Sequence, residues 1–146
     1  MRKAVLLTLS TVALAVPSVN AWAAAREAVS NTTVKKKVVV ATKSFTGTAA
    51  QADRWGSVEV TIVVKKTTTT VGTKKTVSRK ITKVTVPVYP NHTDRSVYIN
   101  QQAIPYLVQE TLKAQSSKIY AVSGATDTSY AFASSLQAAI VHAKAW

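Results

Sequence analysis

The sequence predicts one α+β domain: a small sheet with two helices, in the order β-β-α-β-α, after a short N-terminal strand. Three observations carry that prediction. Val58, Val60, Ile62 and Val64 alternate with Glu59, Thr61, Val63 and Lys65, the pattern of a half-buried strand rich in β-branched residues. Val84, Val86 and Val88 repeat the alternation. Two later stretches change to the spacing of a helix face. The chain has 146 residues and is 47% hydrophobic, which is material for one core. Two independent cores would each be marginal at this size.

Taken in order, Met1-Arg2-Lys3 is a short positive stretch, followed by a largely apolar run of 13 residues from Ala4 to Val16 and small residues up to Ala23. Residues 1–23 therefore read as a secretory signal peptide, cleaved after Ala23 or, as the other candidate, after Ala21. The alternative is an uncleaved anchor, for which the run is short. Residues 24–42 read as a flexible basic leader, with Lys35-Lys36-Lys37 before a short edge strand at Val38-Val39-Val40. The domain proper is expected over 43–146, opening on loop as far as Asp53. Lys66 to Thr76 is polar with one Gly and reads as a long hairpin loop. In the second strand, Val77 to Val88, Ile81 is out of phase with Val84, so either a bulge or a two-sided strand is required. Pro87 and Pro90 stop that strand because neither donates to a ladder.

Ile104, Leu107, Val108 and Leu112 share a helix face between Ser96 and Ala114, and Pro105 inside it marks either a helix start or a kink. Lys118 to Val122 reads as a third strand. The last helix is expected from Thr126 to Lys144, with Phe132, Leu136, Ala139, Ile140 and Ala143 on its apolar side.

Composition narrows the chemistry. There is no cysteine, so disulfides, thiolate metal sites and thiol catalysis are absent. Two histidines and six acids leave little for acid–base work, and no nucleophile–base pair or carboxylate dyad is visible, so no catalytic or metal-binding residue is assigned. The formal net charge is +13, from 19 Lys and Arg. Between Lys35 and Lys83 there are 12 basic residues and two acids, whereas from Val84 to Trp146 there are four and three. Such a half-chain steers association with anionic partners: lipid head groups, an envelope polymer or an acidic redox protein. The export signal argues against nucleic acid.

The chemically informative stretch is Ser123-Gly124-Ala125-Thr126-Asp127-Thr128-Ser129, at the start of the last helix. Small hydroxyl residues at a helix N-terminus suit a phosphate, because unpaired backbone N–H groups and a partial positive charge meet there. The same residue types also serve as ordinary N-caps, worth about 1 kcal/mol. Both readings stay open.

SGATDTS resembles the SGATxTS motif of the FMN-binding domain family, which includes FMN-carrying subunits of the sodium-pumping NADH:quinone reductase and the Rnf complex and small exported bacterial proteins. Arg54 to Val60, Lys80 to Val86, Tyr89-Pro90-Asn91, and Arg95-Ser96 through Ile99-Asn100 to Leu112 are also similar, so the resemblance spans residues 43–143. It implies FMN bound with its phosphate near Thr126, carried there by a phosphoester bond installed by a flavin transferase. Ser123, Gly124, Ala125, Thr128 and Ser129 would surround the phosphate. Beside it, Arg95 either reaches the phosphate or the flavin edge or is a solvated loop arginine; Asn100 and Tyr89 either contact the ring or serve helix and turn packing; and Trp55 either stacks on the ring or belongs to the core. One position departs from the covalent pattern: Tyr120 stands where an acid precedes the motif. A phenol does not replace a carboxylate in metal-assisted phosphoryl transfer. Covalent, non-covalent and flavin-free states are thus all open.

The function expected is an exported electron carrier in the cell envelope, with a membrane-bound redox partner, rather than a stand-alone enzyme. The rival is a flavin-free basic module that binds anionic wall polymer or a membrane surface.

Overall fold

The computed structural model describes residues 34–146; the expected signal peptide and residues 24–33 of the leader lie outside the described residues. Strand β1 spans Lys36–Thr46, β2 Ala50–Gln51, β3 Ser57–Val71 and β4 Lys74–Val88. Helix α1 spans Asp94–Ala114 and α2 Thr126–Ala145. The class is α+β. All pairings are antiparallel, and β3 is central, pairing with each of the other strands.

The alternation read in β3 is its burial pattern. Val58, Val60, Ile62 and Val64 are buried on the face that meets the helices. From α2 come Phe132, Leu136, Ala139 and Ala143, and from α1 Leu107, into one hydrophobic cluster with Phe45, Ile81 and Val84. Each large side chain buried there contributes about 1.5–3 kcal/mol. Ile140 is only half-buried, and so are Ile104, Val108 and Leu112 of α1, whose buried line runs instead through Ser96, Asn100, Ala103, Leu107 and Thr111. Helix α1 passes through Pro105 without ending. Pro105 and Gln101 are exposed, so the carbonyl that Pro105 cannot serve faces water.

Two contacts position the helices. Val60 N–H donates to Ser135 Oγ at 2.9 Å, and a Cβ on Gly47 would lie 1.8 Å from the Ser135 carbonyl oxygen, so only glycine lets α2 sit this close to the sheet. At the end of α1, Gln115 adopts φ 52°, ψ 32°. Its side-chain amide accepts from Ile81 N–H at 2.7 Å and donates to Ile81 C=O at 3.1 Å. One side chain thereby satisfies both backbone groups of Ile81 on the open edge of β4.

Three sequence expectations are corrected, and one alternative left open is resolved. The strand that was expected at Val38–Val40 runs on to Thr46, across the expected boundary at residues 42 and 43, because all of it pairs with β3. The loop expected at Lys66–Thr76 is mostly ladder. The strands continue to Val71 and resume at Lys74, leaving a two-residue turn, Gly72-Thr73. Threonine is polar yet favours strands, so a polar composition misled the reading. Ile81 and Val84 both face the core, because a bulge shifts the register between Val63 and Val64 and adds Thr82 to β4. Lys118–Val122 forms no ladder; it is extended chain leading into the turn before α2.

The sheet outruns its helices. Beyond Val64 the strands β1, β3 and β4 continue as a three-stranded arm, where every residue of β1 from Lys36 to Thr42 and of β4 from Lys74 to Lys80 is exposed. No helix among the described residues is long and apolar enough to cross a membrane.

Candidate functional site

Three local structures meet where β3 begins and β4 ends. The first is a single 3₁₀ turn, Asp53–Trp55, closed by Ala52 N–H to Gly56 C=O at 2.7 Å. Gly56 has φ 118°, ψ −156°, a conformation essentially confined to glycine. It delivers Trp55 half-exposed, with the Arg54 guanidinium 5.0 Å from its ring centre.

The second is the start of α1. Thr93 is its N-cap, and Thr93 Oγ1 accepts from Ser96 N–H at 3.1 Å. One turn on, Asn100 is 2% exposed; its Nδ2 donates to the Pro90 carbonyl at 2.8 Å, and its Oδ1 has no partner among the described residues.

The third is the SGAT turn itself. Ala125 N–H donates to Val122 C=O at 3.0 Å, and Gly124, with φ 81°, takes the left-handed value required at the third position of a type II turn. Ser129 Oγ locks it, accepting from Val122 N–H at 3.0 Å and donating to Ala125 C=O at 2.8 Å. The N-cap of α2 is Ala125, and no side chain caps the helix. Of the two readings left open for the motif, the ordinary side-chain N-cap is therefore not the one adopted. The N–H groups of the first turn of α2 receive no side-chain acceptor, whereas α1 is closed by Thr93.

These parts enclose a cavity of about 380 Å³, within the size range of ligand pockets. Gly124, Ala125, Thr126, Asp127 and Thr128 form one wall. Arg95, Ser96, Ile99 and Asn100 form another, with Trp55 and Pro90 beside them. Six of the eight expected site residues thus come together: Thr126, Gly124, Ala125, Thr128, Arg95 and Asn100. Ser123 is exposed outside the lining, and the Ser129 hydroxyl is spent on the turn, so neither lines the cavity. Tyr89 is not part of the lining, and Tyr120 is exposed and outside it. Sequence reading missed Ser96, Ile99 and Pro90; Thr93-Asp94-Arg95-Ser96 is legible as a helix start and would have pointed to Ser96.

The electrostatics favour an anion. Two helix N-termini and the Arg95 guanidinium supply positive potential, opposed by the Asp127 carboxylate on the lining. Uncapped N–H groups and the Thr126 hydroxyl suit a phosphate ester. Trp55 offers a flat apolar surface, and the unpartnered Asn100 Oδ1 suits a ligand with a hydrogen-bond donor. No protein-family model matches the chain, and no curated protein matches it.

Proposed function

We propose that this protein is an exported FMN-binding electron carrier of the cell envelope, receiving electrons from a membrane-bound reductase. The observation that supports the reading most is the cavity at the start of α2, where an uncapped helix N-terminus, the Thr126 hydroxyl and Trp55 share one wall system. The first turn of α2 would hold the flavin phosphate through backbone N–H groups, and Arg95 would add charge to that hold. Trp55 and Ile99 would shield the ring from water. Asn100, fixed by Pro90, would orient it with its free Oδ1. The flavin, once bound, supplies the redox chemistry, and the protein supplies binding, orientation and field. Thr126 is exposed at the rim, accessible to a flavin transferase.

The test is the visible spectrum and intact mass of the protein, coexpressed with a flavin transferase, before and after denaturation. Yellow colour and an FMN-sized mass increment that survive denaturation, and are lost in Thr126→Ala, would establish the covalent carrier. Colour released on denaturation would establish non-covalent binding. An unmodified mass with no uptake of added FMN would overturn the flavin reading.

A further inference from the structure

We infer that the distal arm of the sheet is a docking surface for a bilayer containing anionic phospholipid. Segments 35–42 and 65–80 hold nine basic residues and no acid. The topology gathers them onto one arm: Lys36 lies opposite Val71, Lys65 opposite both Thr42 and Lys80, and Lys66 opposite Arg79. Like charges directly across a ladder are destabilising, yet the arm places them so repeatedly and offers no acid to relieve them. Among the described residues the one ion pair is Lys113–Glu110, on α1. A surface with this uncompensated field is complementary to phosphate.

Charge alone would equally suit an acidic protein or a soluble phosphate polymer. The aliphatic side chains decide for lipid. Val38, Val39, Val40, Val71 and Val77 are between 39% and 51% exposed, interleaved with the lysines. By register, Val38, Val40 and Val71 share the helix-free face with Lys36, Lys65, Lys74 and Lys80. That mixture matches a bilayer interface, where lysine stems lie along apolar surface and their ammonium groups reach the head groups. The cavity lies at the opposite end of β3, about 50 Å away for a strand of 15 residues, so lipid and ligand do not compete. The inference does not depend on what the cavity binds.

The test is co-sedimentation of the full chain with vesicles of phosphatidylcholine mixed with phosphatidylglycerol, against phosphatidylcholine alone, over a salt series. Binding that requires phosphatidylglycerol and weakens with salt is expected. The combined variant Lys65→Gln, Lys74→Gln, Lys75→Gln and Lys80→Gln should lose about fivefold per lysine, on the order of a hundredfold or more in all. Lys118→Gln, outside the arm, should leave binding unchanged. Val38→Ser with Val40→Ser should weaken binding at every salt concentration. Binding indifferent to phosphatidylglycerol, or retained by the four-lysine variant, would overturn the inference. Binding to soluble polyphosphate but not to vesicles, or no effect of the valine substitutions, would overturn the lipid assignment in favour of a charge-only partner.

Discussion

The two halves of the β3–β4 hairpin share one antiparallel ladder and differ in what packs upon it. In the half nearer the cavity, Val58, Val60, Ile62 and Val64 present an apolar face that α2 covers, while α1 packs beside it on β4. In the other half, Lys66, Thr68 and Thr70 occupy the same face by parity, and Lys66 sits 4.9 Å over the ring of Trp146, the residue that follows α2, and donates to its carbonyl oxygen. Backbone pairing runs through both halves, interrupted by bulges only in the half nearer the cavity, so pairing does not explain why the helices settle there. Side-chain area does: a helix is recruited only where burial outweighs the cost of ordering it. One half therefore becomes a rigid platform that ends in a cavity, and the other a solvated, charged surface.

Truncation is the strongest way to break this contrast. Phe132→Ala should cost about 3–5 kcal/mol in denaturant unfolding, because its fully buried ring leaves a void. Val77→Ala on the arm should stay within about 0.5 kcal/mol. Comparable losses would mean that the arm is part of the core. A smaller effect, about 1–3 kcal/mol, is expected for Ser135→Ala, which orphans the buried Val60 N–H. The same loss in Gln115→Ala would show that a single amide secures β4 at Ile81.

At the cavity, Gly124→Ala should cost about 1–2 kcal/mol from its left-handed conformation alone, since a Cβ there meets no atom within 4 Å. Flavin titration of the same variant should show a weaker site, because the turn sets where α2 begins. The smallest effect sharpens the electrostatic picture. Asp127→Asn removes a carboxylate from the lining, so FMN should bind about two- to fivefold tighter while the helix loses a few tenths of a kcal/mol. Unchanged or weaker FMN binding in Asp127→Asn would mean that the phosphate does not lie at this end.

Legibility followed locality. Val58 to Val64 and Phe132 to Ala143 were readable because their periods are written in neighbouring residues. The arm was not: a run of Thr and Lys without apolar alternation reads as loop, and only pairing with two flanking strands makes it sheet. Val38 to Thr46 was cut short for the same reason. Lys118 to Val122 has strand composition, but the edge of β4 is met at Ile81 by the Gln115 side chain, a partner with no local signal. At the site, Thr126, Gly124, Ala125 and Thr128 stood out in one motif. The separate duties of Ser123 and Ser129 did not, because which hydroxyl points inward depends on the turn.

Sequence alone determined the class of the domain, the core faces of β3 and α2, the SGAT turn and the uneven charge, since each is set by residues within one or two turns or strand repeats of each other. Tertiary structure decided the rest. It brought Trp55, Arg95 to Asn100 and Gly124 to Thr128 to one cavity, chose Ala125 as an uncapped helix start, and stacked the lysines of three strands into an arm. Those outcomes join residues tens of positions apart, and such contacts form only when buried area and completed hydrogen bonds repay the closure of the intervening chain.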